Sequence, residues 1–161
     1  AEWVAVGHPG GLMRDGFALF AAAPITWLSF QNPNPEAILA VATTPWFARI
    51  RRLTIGFARD IAPSGYLVAD YLAEGARSGG LRELALSNCD LGDDAALSLA
   101  KSAFARTLEK IDLSENRIGE YGALKLVAAL DPNRLRWLDL TGNPILSETR
   151  RELQKRFPGK V

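Results

Sequence analysis

One cysteine, one histidine and one methionine occur among 161 residues. A single thiol excludes an internal disulfide framework and suits a reducing, cytoplasmic setting. The only histidine, His8, is far in sequence from Cys89, so no Cys–His nucleophile pair is expected. Other chemical signatures are missing as well. There is no C-x-x-C, no H-E-x-x-H, no phosphate-binding G-x-x-x-x-G-K-[ST] and no N-x-[ST] acceptor. The glycine-rich stretch Gly7–Gly11 (GHPGG) lacks the pattern that would follow in a dinucleotide site. Neither catalytic residues, a cofactor nor a metal site is therefore expected.

Charge of one sign is also lacking. Nineteen basic and 18 acidic side chains leave a net charge of +1, which gives no general attraction to nucleic acid or acidic lipid. The basic cluster Arg49, Arg51 and Arg52 is too short to change that. No apolar run approaches the roughly 18–20 residues of a membrane helix, and the candidate Phe17–Ile25 contains Pro24. The opening AEWVAVGHPGG has neither a basic n-region nor a long apolar stretch, so it does not read as a secretory signal. The absence of an initiator methionine leads us to expect a piece of a longer protein.

Against these absences stands a repeat. LRELALSNCDL begins at Leu81, LEKIDLSENRI at Leu108 and LRWLDLTGNPI at Leu135, at a constant period of 27 residues. Each fits L-x-x-L-x-L-x-x-[N/C]-x-L. Leu84 and Leu86 alternate with small or polar residues, as do Ile111 and Leu113, the pattern of a half-buried strand. Between the strands lie Ala- and Leu-rich segments of helical spacing. In the first, Leu97, Ala100 and Phe104 mark the apolar side, with Asp93 or Asp94 at the helix start. In the second, 120–130, the apolar side reads as Leu124, Val127, Ala128 and Leu130, and Asp131-Pro132 stops the helix. Strand, loop and helix at this period imply parallel strands with helices behind them.

Two weaker copies precede these. IRRLTIGFARDI starts at Ile50, with Ala58 in the Asn/Cys slot, and ITWLSFQNPNP starts at Ile25, with Pro33 there. Pro63-Ser64-Gly65 opens a helix whose apolar face is Tyr66, Val68, Ala69, Leu72 and Ala76. Residues 1–24 are expected to cap the first strand, with Trp3, Val4 and Val6 apolar and Met13, Phe17 and Phe20 at helical spacing. Residues 147–161 are expected to cap the last. Ser147 is the N-cap there, Leu153 and Phe157 cover the core, and Arg150, Arg151, Lys155 and Arg156 face water.

These frames resemble the leucine-rich repeat family, in its ribonuclease-inhibitor-like subclass. The resemblance is specific over Leu81–Phe157 and looser over Ile25–Gly80. The N-terminal GFALFAAAPITWLSF is similar to the lead into such repeats in some large bacterial families. The implied fold is an α/β solenoid of about five repeats between terminal caps, with a parallel sheet on the concave face and helices on the convex face. The resemblance also implies that Asn116, Asn143 and, as a weaker substitute, Cys89 turn inward to bond the backbone of the loop after each strand. Loop amides in a tight coil lack backbone partners, and a buried unpaired amide costs about 1–3 kcal/mol.

Recognition is then expected between the leucines. The third frame position gives the outward column Trp27, Arg52, Glu83, Lys110, Trp137. Its charges alternate in sign, which reads either as a solvated ladder or as a binding strip with aromatic anchors. The fifth position gives Ser29, Thr54, Ala85, Asp112, Asp139. Two aspartates with no histidine or third acid make a poor cation site but could accept a basic partner. Five strands about 4.8 Å apart, with about five exposed residues each at ~3.3 Å, offer on the order of 400 Å². A standard interface takes about 800 Å² from each partner. The leading expectation is a non-enzymatic module that binds a protein or peptide through the concave face and adjacent loops. A structural subunit docked through the apolar N-terminal region or the convex helices is the second. A recognition or regulatory part of a larger enzyme or GTPase regulator, as in some relatives of the subclass, is the third.

Overall fold

The computed structural model describes residues 3–6, 24–57, 65–76 and 80–161. Its strands are β1 (Trp3–Val6), β2 (Trp27–Gln31), β3 (Arg52–Gly56), β4 (Glu83–Ala85), β5 (Lys110–Asp112) and β6 (Trp137–Asp139). They form one parallel sheet in sequence order. The helices are α1 (Pro35–Ala42), α2 (Gly65–Gly75), α3 (Asp93–Lys101), α4 (Glu120–Ala129) and α5 (Ser147–Arg156). Strands and helices alternate along the chain, giving an α/β solenoid with the sheet on one side and the stacked helices on the other.

The frame positions set the register. Trp27, Arg52, Glu83, Lys110 and Trp137 are successive cross-strand partners, and so are the inward Leu28, Leu53, Leu84, Ile111 and Leu138. Those inward residues, with the frame-opening Ile25, Ile50, Leu81, Leu108 and Leu135, are essentially solvent-free. Alternation with period two puts one set in the core and the other on the sheet surface.

The sheet has one strand more than the five frames. β1 lies inside the stretch read as a cap and places Trp3 opposite Trp27 and Val4 opposite Leu28. AEWVAV keeps the strand spacing of the frame, with Val4 and Val6 in the leucine slots, but Gly7–Gly11 follows where a frame would end. The expectations for Met13, Phe17, Phe20, Ala58, Pro63 and Ser64 lie outside the described residues. Helix α1 is announced in the sequence by Asn34-Pro35. Asn34 caps it by accepting from the Glu36 amide at 2.9 Å, and Pro35 occupies its first turn.

Several helical faces differ from expectation. α3 buries Ala95, Ala96 and Leu99 and stops at Lys101, so Leu97 and Ala100 lie at the margin and Phe104 is buried beyond the helix end. α4 buries Ala123, Leu126 and Val127, while Leu124 is 41% exposed and Ala128 faces solvent. In α2, Val68, Ala69 and Leu72 are buried, but Tyr66 is 53% exposed. Helices rich in Ala and Leu have several apolar stripes, and packing against the neighbouring helix selects among them. The Asp93 carboxylate leaves its own helix uncapped and accepts from the Gly119 amide at 2.7 Å, one coil further on. The close approach there needs glycine at Gly122, since a Cβ would lie 2.8 Å from the Asp93 Cα.

At the C-terminal end, α5 buries Thr149 and Leu153, and Phe157 beyond it is solvent-free. Leu146, not Ser147, holds the N-cap position. Arg150 faces water only in part. Its guanidinium donates to the carbonyls of Asn143 and Ile145, at 3.1 and 3.3 Å. The tail then returns to the open edge of β6, where the Lys160 carbonyl accepts from the Leu138 amide at 2.6 Å. Lys160 Nζ meanwhile reaches the Pro132 carbonyl. A strand edge that would otherwise present unpaired donors is thereby partly covered.

Candidate protein-binding face

The loop after each strand is held by a ladder of inward polar groups. Asn116 Oδ1 accepts from the Cys89 and Leu91 amides, each at 3.0 Å. Its Nδ2 donates to the Leu86, Leu113 and Ser114 carbonyls at 2.8, 2.9 and 3.0 Å. Asn143 accepts from the Ile118 amide and donates to the Leu113 and Leu140 carbonyls. Cys89 is buried, with its Sγ near the Ile55 and Ser87 carbonyls. Burial, and secondarily the charge of Asp112, push this thiol up to about 12, so it remains protonated and unreactive at neutral pH.

One residue before each of these positions the backbone turns left-handed, at Asn32, Asn88 and Glu115, and at Gly142 with φ 77°. Only glycine takes that conformation without steric cost, although asparagine tolerates it. The eighth frame position reads Asn32, Phe57, Asn88, Glu115 and Gly142, and all of these but Phe57 have positive φ.

With the loops fixed, the third-position column stands out from the sheet. Arg52 lies over the Trp27 ring, 4.8 Å from its centroid. Arg52 Nε then pairs with Glu83 at 2.5 Å, and Lys110 Nζ pairs with the other Glu83 oxygen at 3.3 Å. Burial pulls the Glu83 carboxyl upward, but the hydrogen bonds and charges of Arg52 and Lys110 outweigh it and hold the group below its ordinary value. Trp137 ends the column, 44% exposed. The column encloses a hollow of about 320 Å³, reaching from Trp27 to Trp137. Thr54, Ala85 and Asp112 of the fifth position also line it. The hollow exists because small side chains alternate with large ones across adjacent columns. Asp139 stands beside Asp112 in register but does not line it.

The column and Asp112 are thus gathered around one depression. The basic cluster is not a single patch. Arg52 is on the sheet face, whereas Arg51 turns to the Ala48 and Gly80 carbonyls at the edge. That edge carries its own charge line, in which Glu109 pairs with Arg82 at 3.1 Å and Arg136 at 3.3 Å. Among the described residues no group of three or more His, Cys, Asp or Glu could hold a metal ion. No helix among them is long and apolar enough to cross a membrane.

No curated protein matches the sequence. A family model described as "Leucine Rich repeat" matches residues 81–100 and 104–127, which span β4, α3, β5 and most of α4. The matched residues carry leucine-rich repeats, and the parallel strand–helix coils around them fit an α/β leucine-rich-repeat solenoid; such repeats serve in general as protein-interaction modules.

Proposed function

We propose that the protein is a non-enzymatic recognition module whose concave sheet face, with its adjacent loops, binds a protein or peptide partner. The observation that carries this reading is the hollow between Trp27 and Trp137, lined by charged and small side chains. Tryptophan and arginine supply most interface hot spots. A depression of this size takes one or two partner side chains rather than a folded surface. The sixth strand widens the strip by roughly 5 Å. The face therefore still falls short of the ~800 Å² that a standard interface takes from each partner. An extended segment lying across the strands, with loop contacts, fits that area. Docking through the convex helices has less behind it, because Tyr121 and Leu124 form one small exposed apolar pair a turn apart on α4, with Tyr66 on α2. Apolar patches of that size are ordinary on a surface.

Strand–helix alternation at a 27-residue period supports the ribonuclease-inhibitor-like subclass, and a lone buried thiol suits a cytoplasmic setting. Trp137→Ala combined with Asp139→Ala is expected to leave the circular dichroism unchanged and to abolish capture of the partner from extracts of the source organism. Undiminished capture by this double variant would sink the concave-face reading.

A further inference from the structure

The two ends of the sheet-face column differ in one respect. At Trp27 the chain supplies its own cation, because Arg52 lies over that ring. At Trp137 no cation of the described residues covers the indole, and two carboxylates stand beside it instead. Asp112 and Asp139 are cross-strand partners on parallel strands, at an inter-strand spacing of about 4.8 Å. One oxygen of each is used locally. Asp112 Oδ1 accepts from the Ser114 amide at 3.0 Å and its hydroxyl at 2.6 Å, and Asp139 Oδ1 accepts from the Thr141 amide at 2.8 Å. These short-range bonds fix both side chains in place. Among the described residues neither carboxylate has an ion-pair partner. The nearest cation along the strand, Lys110, is held by Glu83. Like charges directly opposite on neighbouring strands are unfavourable until a cation lies between them.

We propose that Asp112, Asp139 and Trp137 together receive an arginine or lysine side chain of the partner protein, its charged end between the carboxylates and its stem against the indole. This rests on the concave-face reading and names the chemistry of its occupant. The partner would complete at Trp137 the cation–aromatic contact that Arg52 already makes with Trp27. A guanidinium suits the pair best, since its planar fork can donate to both carboxylates while its face stacks on an indole. A bound metal ion fits less well, because two carboxylates without a third ligand leave most of its coordination shell to water.

The test uses the full chain and three pools of acetylated, amidated nonapeptides. Their flanks are randomised and their central residue is arginine, norleucine or glutamate. Binding is followed by the Trp137 indole N–H resonance, assigned with Trp137→Phe. The arginine pool is expected to bind about tenfold tighter than the norleucine pool, and the glutamate pool weakest. In Asp112→Asn/Asp139→Asn, which keeps the local amide acceptors, the preference for arginine should fall to within about twofold. Equal affinity for arginine and norleucine, or a preference for glutamate, overturns the inference. A Trp137 shift in that case leaves the concave-face reading standing. Arginine preference that survives in the double asparagine variant removes the aspartates from the site. Displacement of the arginine pool by millimolar calcium chloride assigns the pair to a metal ion and also overturns the inference. No Trp137 response to any pool overturns both readings.

Discussion

Asn116 shows how one side chain can decide a loop. Its amide group makes five hydrogen bonds, all with backbone, and two of them reach the preceding coil's Cys89 and Leu91 amides. Asn116→Leu fills the space but strands these groups away from water. We expect a loss of about 3–4 kcal/mol in urea unfolding, with less for Asn143→Leu, which breaks three bonds. Equal small losses for both would show that water replaces the side chain. The inward leucines were legible in the sequence because a strand's facing depends only on parity. The partners of Asn116 in the preceding coil, the Cys89 and Leu91 amides and the Leu86 carbonyl, were not, since they lie 25 to 30 residues away and meet it only when coils stack. At Gly142 both effects combine. Its φ is positive, and an added Cβ would fall 2.6 Å from the Glu115 carboxylate of the coil before.

Strands and helices differed in how much of them could be read. The third-position column was foreseeable, because strand register follows the frame. The buried face of α4 was not, because Leu124 and Leu126 are equally apolar and only the angle of the helix against the sheet puts Leu126 inside. The C-terminal element was half legible. Leu153 and Phe157 follow helical spacing, whereas the turn of Arg150 back onto loop carbonyls depends on where α5 docks. Phe157 is solvent-free and closes the last coil. Phe157→Ala is expected to cost about 3–5 kcal/mol in chemical denaturation. A loss below 1 kcal/mol would mean that the neighbouring Val161 and Leu153 collapse into the space.

At the level of the molecule, each coil touches mainly its neighbours, as in a one-dimensional array. Damage at one end should therefore stay near that end. Phe157→Ala is expected to accelerate hydrogen exchange at Leu138, whose amide is bonded to the Lys160 carbonyl, while Leu53 and Ile55 keep near wild-type protection. Uniform acceleration along all strands would instead show that the solenoid opens as a single unit. The same linear build limits function. The binding strip grows by one strand's width per coil, so a short array offers a groove for a segment rather than a face for a domain.

The sequence by itself determined the coil: its period, the parity of inward and outward residues, and the slots where Asn116, Asn143 and Cys89 sit. These follow from local spacing, and local geometry transmits spacing directly. Only the tertiary structure decided that Trp3–Val6 joins the sheet, which helical stripe is buried, and that Glu83 bridges Arg52 and Lys110 while Asp112 and Asp139 have no ion-pair partner among the described residues. Those outcomes depend on distances between coils, set by stacking, and the order of residues along one coil does not contain them.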